Sequence, residues 1–150
     1  MSPRTIRLVP NLSIAALQRG LDKELAMWYC LRAINYWGSG RLELQMTIDA
    51  LTLWFHYSKS IAYRILGSGD GIFWEKRSMR GVNRLYLKIY GLKEVAKYFN
   101  TRCGRYFLNI SPENFVGDGE NRVARQRAWL YASFHMTCPP KTVPVIMLGK

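Results

Sequence analysis

Between residues 41 and 90 the apolar positions alternate, then recur twice at helical spacing, then alternate again. Leu42, Leu44 and Met46 lie between Arg41, Glu43 and Gln45, which predicts a half-buried strand over 41–46. Thr47 then stands as an N-cap with Asp49 in the first turn, and Ile48, Leu51 and Phe55 mark a helix as far as the polar His56. Ser58 is placed to cap a second helix. In it Ile61, Ala62, Ile65 and Leu66 form the inward stripe and Lys59, Ser60, Tyr63 and Arg64 the open face. Glycines at 67, 69 and 71 supply a left-handed C-cap and a turn into extended chain. Residues 72–79 and 85–90 are rich in β-branched and aromatic side chains, and Leu85, Leu87 and Ile89 alternate with Tyr86, Lys88 and Tyr90. They predict a hairpin with Arg80, Gly81, Val82 and Asn83 at its tip.

The flanking segments are also patterned. Residues 1–10 read as an extended arm carrying Arg4 and Arg7, and Asn11 as the cap of a short helix over 12–19 that Gly20 interrupts. A stronger helix follows over 22–37, with Met27, Cys30, Leu31, Ile34 and Trp37 on one face and Leu25, Trp28 and Tyr29 on another. A helix with two apolar stripes sits centrally or meets a second surface, such as the C-terminal segment or another copy of the chain. Leu92, Val95, Ala96 and Phe99 mark a helix packed back onto the core. Beyond it come a strand over 106–110, a turn over 111–114, and a helix over 120–136 with Val123, Arg127, Leu130 and Phe134 along one side. Pro139, Pro140 and Pro144 exclude a long helix in the tail.

A length of 150 residues suits one core, read as a unit over 1–100 with an extension over 101–150 packed on or beside it. The net charge of +12 draws the chain towards polyanions through long-range, salt-dependent fields. Lys76, Arg77, Arg80 and Arg84 crowd the hairpin with only Glu75 among them. No apolar run is long enough for a membrane span, since Arg32 interrupts the best candidate. The N-terminus lacks a secretory apolar core, and Cys30, Cys103 and Cys138 are odd in number and far apart, which points to a cytoplasmic, nucleoid or nuclear protein that is not secreted.

The order helix, strand, helix, turn, helix, two-stranded hairpin resembles winged helix-turn-helix DNA-binding domains, with residues 57–66 similar to their recognition-helix stretch. The resemblance covers slightly under half of the chain. It implies an α+β, mainly helical fold and double-stranded DNA as partner. Lys59, Ser60, Tyr63 and Arg64 would read or clamp the major groove, and Lys76, Arg77, Arg80 and Arg84 would hold phosphates from the wing. The expected function is sequence-specific DNA binding, as a transcriptional regulator or a replication or maintenance factor of a genome or mobile element. A homodimer through helix 22–37 would present two recognition helices to half-sites. The alternative is a protein-interaction adaptor on the same fold, with only nonspecific nucleic-acid affinity.

Other chemistry has weaker support. The glycine-rich run 67–71 lacks the strand-loop-helix order and the following lysine and hydroxyl pair of a phosphate-cradling loop. His135 and Cys138 have ligand-like spacing, but a structural zinc takes four ligands. The five tryptophans have spacings of core residues more than of base-stacking platforms. With ten dispersed acids, two distant histidines and no nucleophile motif, neither an enzyme nor a cofactor or metal site is expected.

Overall fold

The computed structural model describes residues 3–34, 40–78, 81, 84–104, 107–117 and 120–137. The fold is α+β and mostly helical. A two-stranded ribbon joins β1 (Ile6–Leu8) to β5 (Leu108–Ile110), and a three-stranded antiparallel sheet has β4 (Leu85–Ile89) at its centre, between β2 (Arg41–Glu43) and β3 (Trp74–Ser78).

The central element is α2 (Asp22–Ile34), whose residues Leu25 to Leu31 are all buried. Around it pack α1 (Pro10–Arg19), α3 (Leu44–Phe55), α4 (Lys59–Ser68), α7 (Arg122–Thr137) and strands β1 and β4. The described apolar residues of both stripes are thus packed within one chain. Leu25, Trp28 and Tyr29, expected as a dimer surface over 22–37, are at most 2% exposed and offer no free stripe. Trp37 and the rest of 35–39 lie outside the described residues.

Buried polar groups on α2 fix its neighbours. The Tyr29 hydroxyl accepts the N–H of Val9 at 2.9 Å, contacts Ser13 Oγ at 2.9 Å, and donates to the Val9 carbonyl. Val9 is the N-cap of α1 and has no side-chain cap of its own, so Tyr29 serves the helix start that Asn11 was expected to serve. Pro10 takes the first helical position, where its missing N–H costs nothing. Trp28 Nε1 donates to the Tyr90 carbonyl, tying α2 to the sheet.

Three further expectations shift. The strand expected over 41–46 stops at Glu43, whose carboxylate accepts the N–H groups of both Gln45 and Met46 and caps α3 from Leu44 onward. Thr47 is therefore inside the helix, bonding back to the Glu43 carbonyl, and Met46 is 70% exposed instead of inward. The turn expected at 111–114 is a Ser111-capped helical turn, α6 (Pro112–Val116). Over 122–135 of α7 the buried positions are Arg122, Gln126, Leu130 and Ser133, while Val123 and Arg127 face outward. The helix is rotated from the expected phase because its inward side carries polar groups with specific partners.

The first and last described strands pair with each other at the core. Pairing of Ile6 with Ile110 and Leu8 with Leu108 makes the expected N-terminal arm a strand, with Arg7 stacked over Phe107 at 4.5 Å. The described part of 101–150 also joins the body through α7, which packs on α1 and α2. Among the described residues no helix is long and apolar enough to cross a membrane.

Candidate nucleic-acid interface

The corner between α3 and α4 is built from three residues. His56 takes the left-handed conformation (φ 58°) that ends α3, Tyr57 turns inward, and Ser58 caps α4 by accepting the Ile61 N–H. The corner is braced from a distance. Arg122 of α7 donates to the His56 carbonyl at 2.9 Å and stacks over the Tyr57 ring at 4.1 Å, while Gln126 bonds to the Tyr57 hydroxyl at 3.3 Å. Burial pushes the Tyr57 phenol and the neighbouring Cys30 thiol up from their ordinary pKa values, so both stay neutral under the corner.

α4 rests on Ala62, Ile65 and Leu66. Burying Ile65 and Leu66 contributes about 1.5–3 kcal/mol each, enough to hold the helix on one face only. The opposite face is exposed and carries Lys59, Ser60, Tyr63 (43% exposed) and Arg64 together, at the spacing read from the sequence. Ser68 closes the last turn by donating to Glu24 of α2.

From α4 the chain reverses around the Trp74 indole, which donates to the Leu66 carbonyl at 2.8 Å. Ile72 and Phe73 bond back to the Gly69 carbonyl, so the segment expected to be strand from 72 is turn as far as Phe73. Gly69 lies against the indole ring, and a Cβ there would overlap it. Phe73 continues the contact to Trp28 and Phe99, with ring centres about 6 Å apart.

The sheet register sorts the basic residues of β3 and β4. Opposed residues share a face, so Arg41, Lys88 and Glu75 form one row and Glu43, Tyr86 and Arg77 the next. Lys76 projects to the other face, in line with Leu42 and Leu87, and is exposed. Glu75, the one acid in this basic stretch, pairs with Arg77, and its other oxygen accepts the Tyr90 hydroxyl. Arg84 is exposed at the start of β4, and Arg80 lies outside the described residues. Two cations absent from the sequence-based set stand beside Arg77, namely Arg41, stacked over Tyr86 at 5.7 Å, and Lys88. Alternation put each on a polar side, but only the strand order brings them into one field.

Hence α4 gathers four of the expected site residues on one surface, while the hairpin divides its own between two faces. Among the described residues no group of three His, Cys, Asp or Glu side chains gathers at metal-binding distance. Comparison of the chain with protein-family models, curated proteins and solved structures gave no match.

Proposed function

We propose that this chain is a winged helix-turn-helix protein that binds double-stranded DNA in a sequence-dependent manner. In this reading α4 enters the major groove and the β3–β4 hairpin is the wing. The observation that carries it is the exposed face of Lys59, Ser60, Tyr63 and Arg64 on a helix followed directly by a hairpin whose second strand lies between β2 and β3. A ten-residue helix is about 15 Å long and fits a groove about 12 Å wide. Lys59 and Ser60, at its start, are placed to reach base edges, with Tyr63 and Arg64 one turn on. Lys76 and Arg84, with Arg80, are assigned to phosphates, and the net charge of +12 draws the duplex in. The cellular role is that of a transcriptional regulator or a replication or maintenance factor.

Selection of bound duplexes from a random pool tests this. Recovery of a shared motif, with Lys59→Ala and Tyr63→Ala each costing about 1–3 kcal/mol on it and less on random DNA, supports the reading. Equal retention of all sequences overturns it. A protein-interaction adaptor is the second reading, favoured by Met46 and Leu53, which project from one side of α3 at 70% and 67% exposure. The aromatic stripe of α2 cannot serve that adaptor, since it is buried.

A further inference from the structure

Beside the brace that holds the corner, α2, α4 and α7 leave a cleft of about 130 Å³. Its walls include Lys23 of α2, Arg64 of α4, and Arg122 and Gln126 of α7, over a floor of Tyr57 and Ile65. Three of the lining side chains are cations and none is an acid. The carboxylates next to Lys23 in sequence are engaged elsewhere, Asp22 with Arg127 and Glu24 with Ser68.

Arg122 is the informative member. It is 91% buried, since 9% of it is exposed, and a buried guanidinium ordinarily meets a carboxylate. Here one of its N–H groups goes to the His56 carbonyl and one face to the Tyr57 ring, while Nε is buried with no hydrogen-bond partner. An unsatisfied donor on a buried charge is costly and calls for an anion, and two further cations border the same small space. Guanidinium and ammonium groups together favour a tetrahedral oxyanion over a flat apolar molecule.

We propose that this cleft is a binding site for a phosphoryl group, held by Lys23, Arg64 and Arg122. Phosphoryl chemistry has two sources, a small phosphorylated molecule or a backbone phosphate of bound DNA, and only the second rests on the DNA-binding reading. Arg64 links the cleft to the exposed face of α4, because it borders both. An anion held in the cleft neutralises part of the charge that the open face presents to a duplex, and the coupling is reciprocal.

The test uses the full chain and inorganic phosphate, titrated against chloride at constant ionic strength and followed by NMR of the arginine Nε–H resonances and by calorimetry. Saturable binding with a downfield shift of the Arg122 Nε–H is expected. Lys23→Gln and Arg64→Gln, both at exposed positions, should each weaken it by about tenfold or more without changing the fold by circular dichroism. Non-saturable behaviour, or a response equal to that of chloride, overturns the site whatever the duplex result. A second arm adds saturating duplex. Mutually exclusive binding, with no ternary complex at saturating phosphate and duplex, assigns the cleft to a DNA phosphate, and a ternary complex in which phosphate binding is only weakened assigns it to a small phosphorylated ligand. If no duplex binds but phosphate does, the DNA reading fails and the site stands.

Discussion

The α3–α4 corner and the β3–β4 hairpin both present basic side chains, yet they are held in opposite ways. At the corner the turn is tied down by two groups from far along the chain, Arg122 on the His56 carbonyl and Gln126 on the Tyr57 hydroxyl, and by the nearby Leu51 carbonyl, which accepts the Tyr57 N–H. Among the described residues the hairpin buries Trp74, Leu87 and Ile89 towards its base, and from Lys76 to Ser78 β3 is exposed. A surface that must discriminate among base edges needs fixed positions, whereas one that neutralises phosphates needs charge and reach. Under the proposed reading, the difference in anchoring divides the labour: α4 reads sequence and the hairpin supplies affinity.

The heaviest blow to this contrast is Trp74→Ala. The indole holds the last turn of α4 and the base of the hairpin at once, so about 3–5 kcal/mol of stability should be lost in urea unfolding. A loss below about 1 kcal/mol would mean that the two regions are not joined there. Alkaline pH comes next. Cys30, Tyr29 and Tyr57 have pKa values raised by burial above their ordinary 9.0, 10.0 and 10.0, so the unfolded chain releases protons that the folded chain keeps. Stability should be unaffected by these groups below pH 9, then fall by up to about 1.4 kcal/mol per pH unit for each group whose unfolded pKa has been passed. Urea midpoints that stay level from pH 8 to about 10.5 would show the base of the corner open to water.

A smaller, local effect separates two neighbouring glycines. Gly69→Ala drives a Cβ into the Trp74 ring and should cost about 1–3 kcal/mol, whereas Gly67 has open space, and Gly67→Ala should add up to about 1 kcal/mol through helix propensity. Equal effects in a melting comparison would remove the indole contact from the reversal. The gentlest test concerns charge. Neutralising Lys76 and Arg84 together should reduce the slope of log affinity against log salt by about two, while Arg77→Gln should change it by less than one, because Glu75 already opposes Arg77. A full unit from Arg77 would mean that the duplex displaces Glu75.

Local pattern was enough to find the elements that build the candidate site. Ile61, Ala62, Ile65 and Leu66 fix the inward side of α4, so its outward side follows from a helical period, and Ser58 caps it because its hydroxyl sits beside the first free N–H groups. The alternation of Leu85, Leu87 and Ile89 likewise gives β4, although Leu85, beyond the core, stays 40% exposed. Where expectation and structure part, a partner that periodicity does not encode decides, in some places local and in others distant in sequence. Glu43 ends its strand because its own carboxylate caps α3, a choice between two local structures that alternation alone does not resolve. In the second stripe of α2 Tyr29 meets Val9 and Ser13, and Trp28 meets Phe73 and the Tyr90 carbonyl, contacts that no local period encodes. Arg77 gains Glu75 within its own strand and Tyr86 from its register, and Arg122 finds the His56 carbonyl across 66 residues. Periodicity determines which way a side chain points on its own element. Only the tertiary structure determines what most side chains meet there, because partners such as the His56 carbonyl for Arg122 come from the packing of elements that no local period encodes.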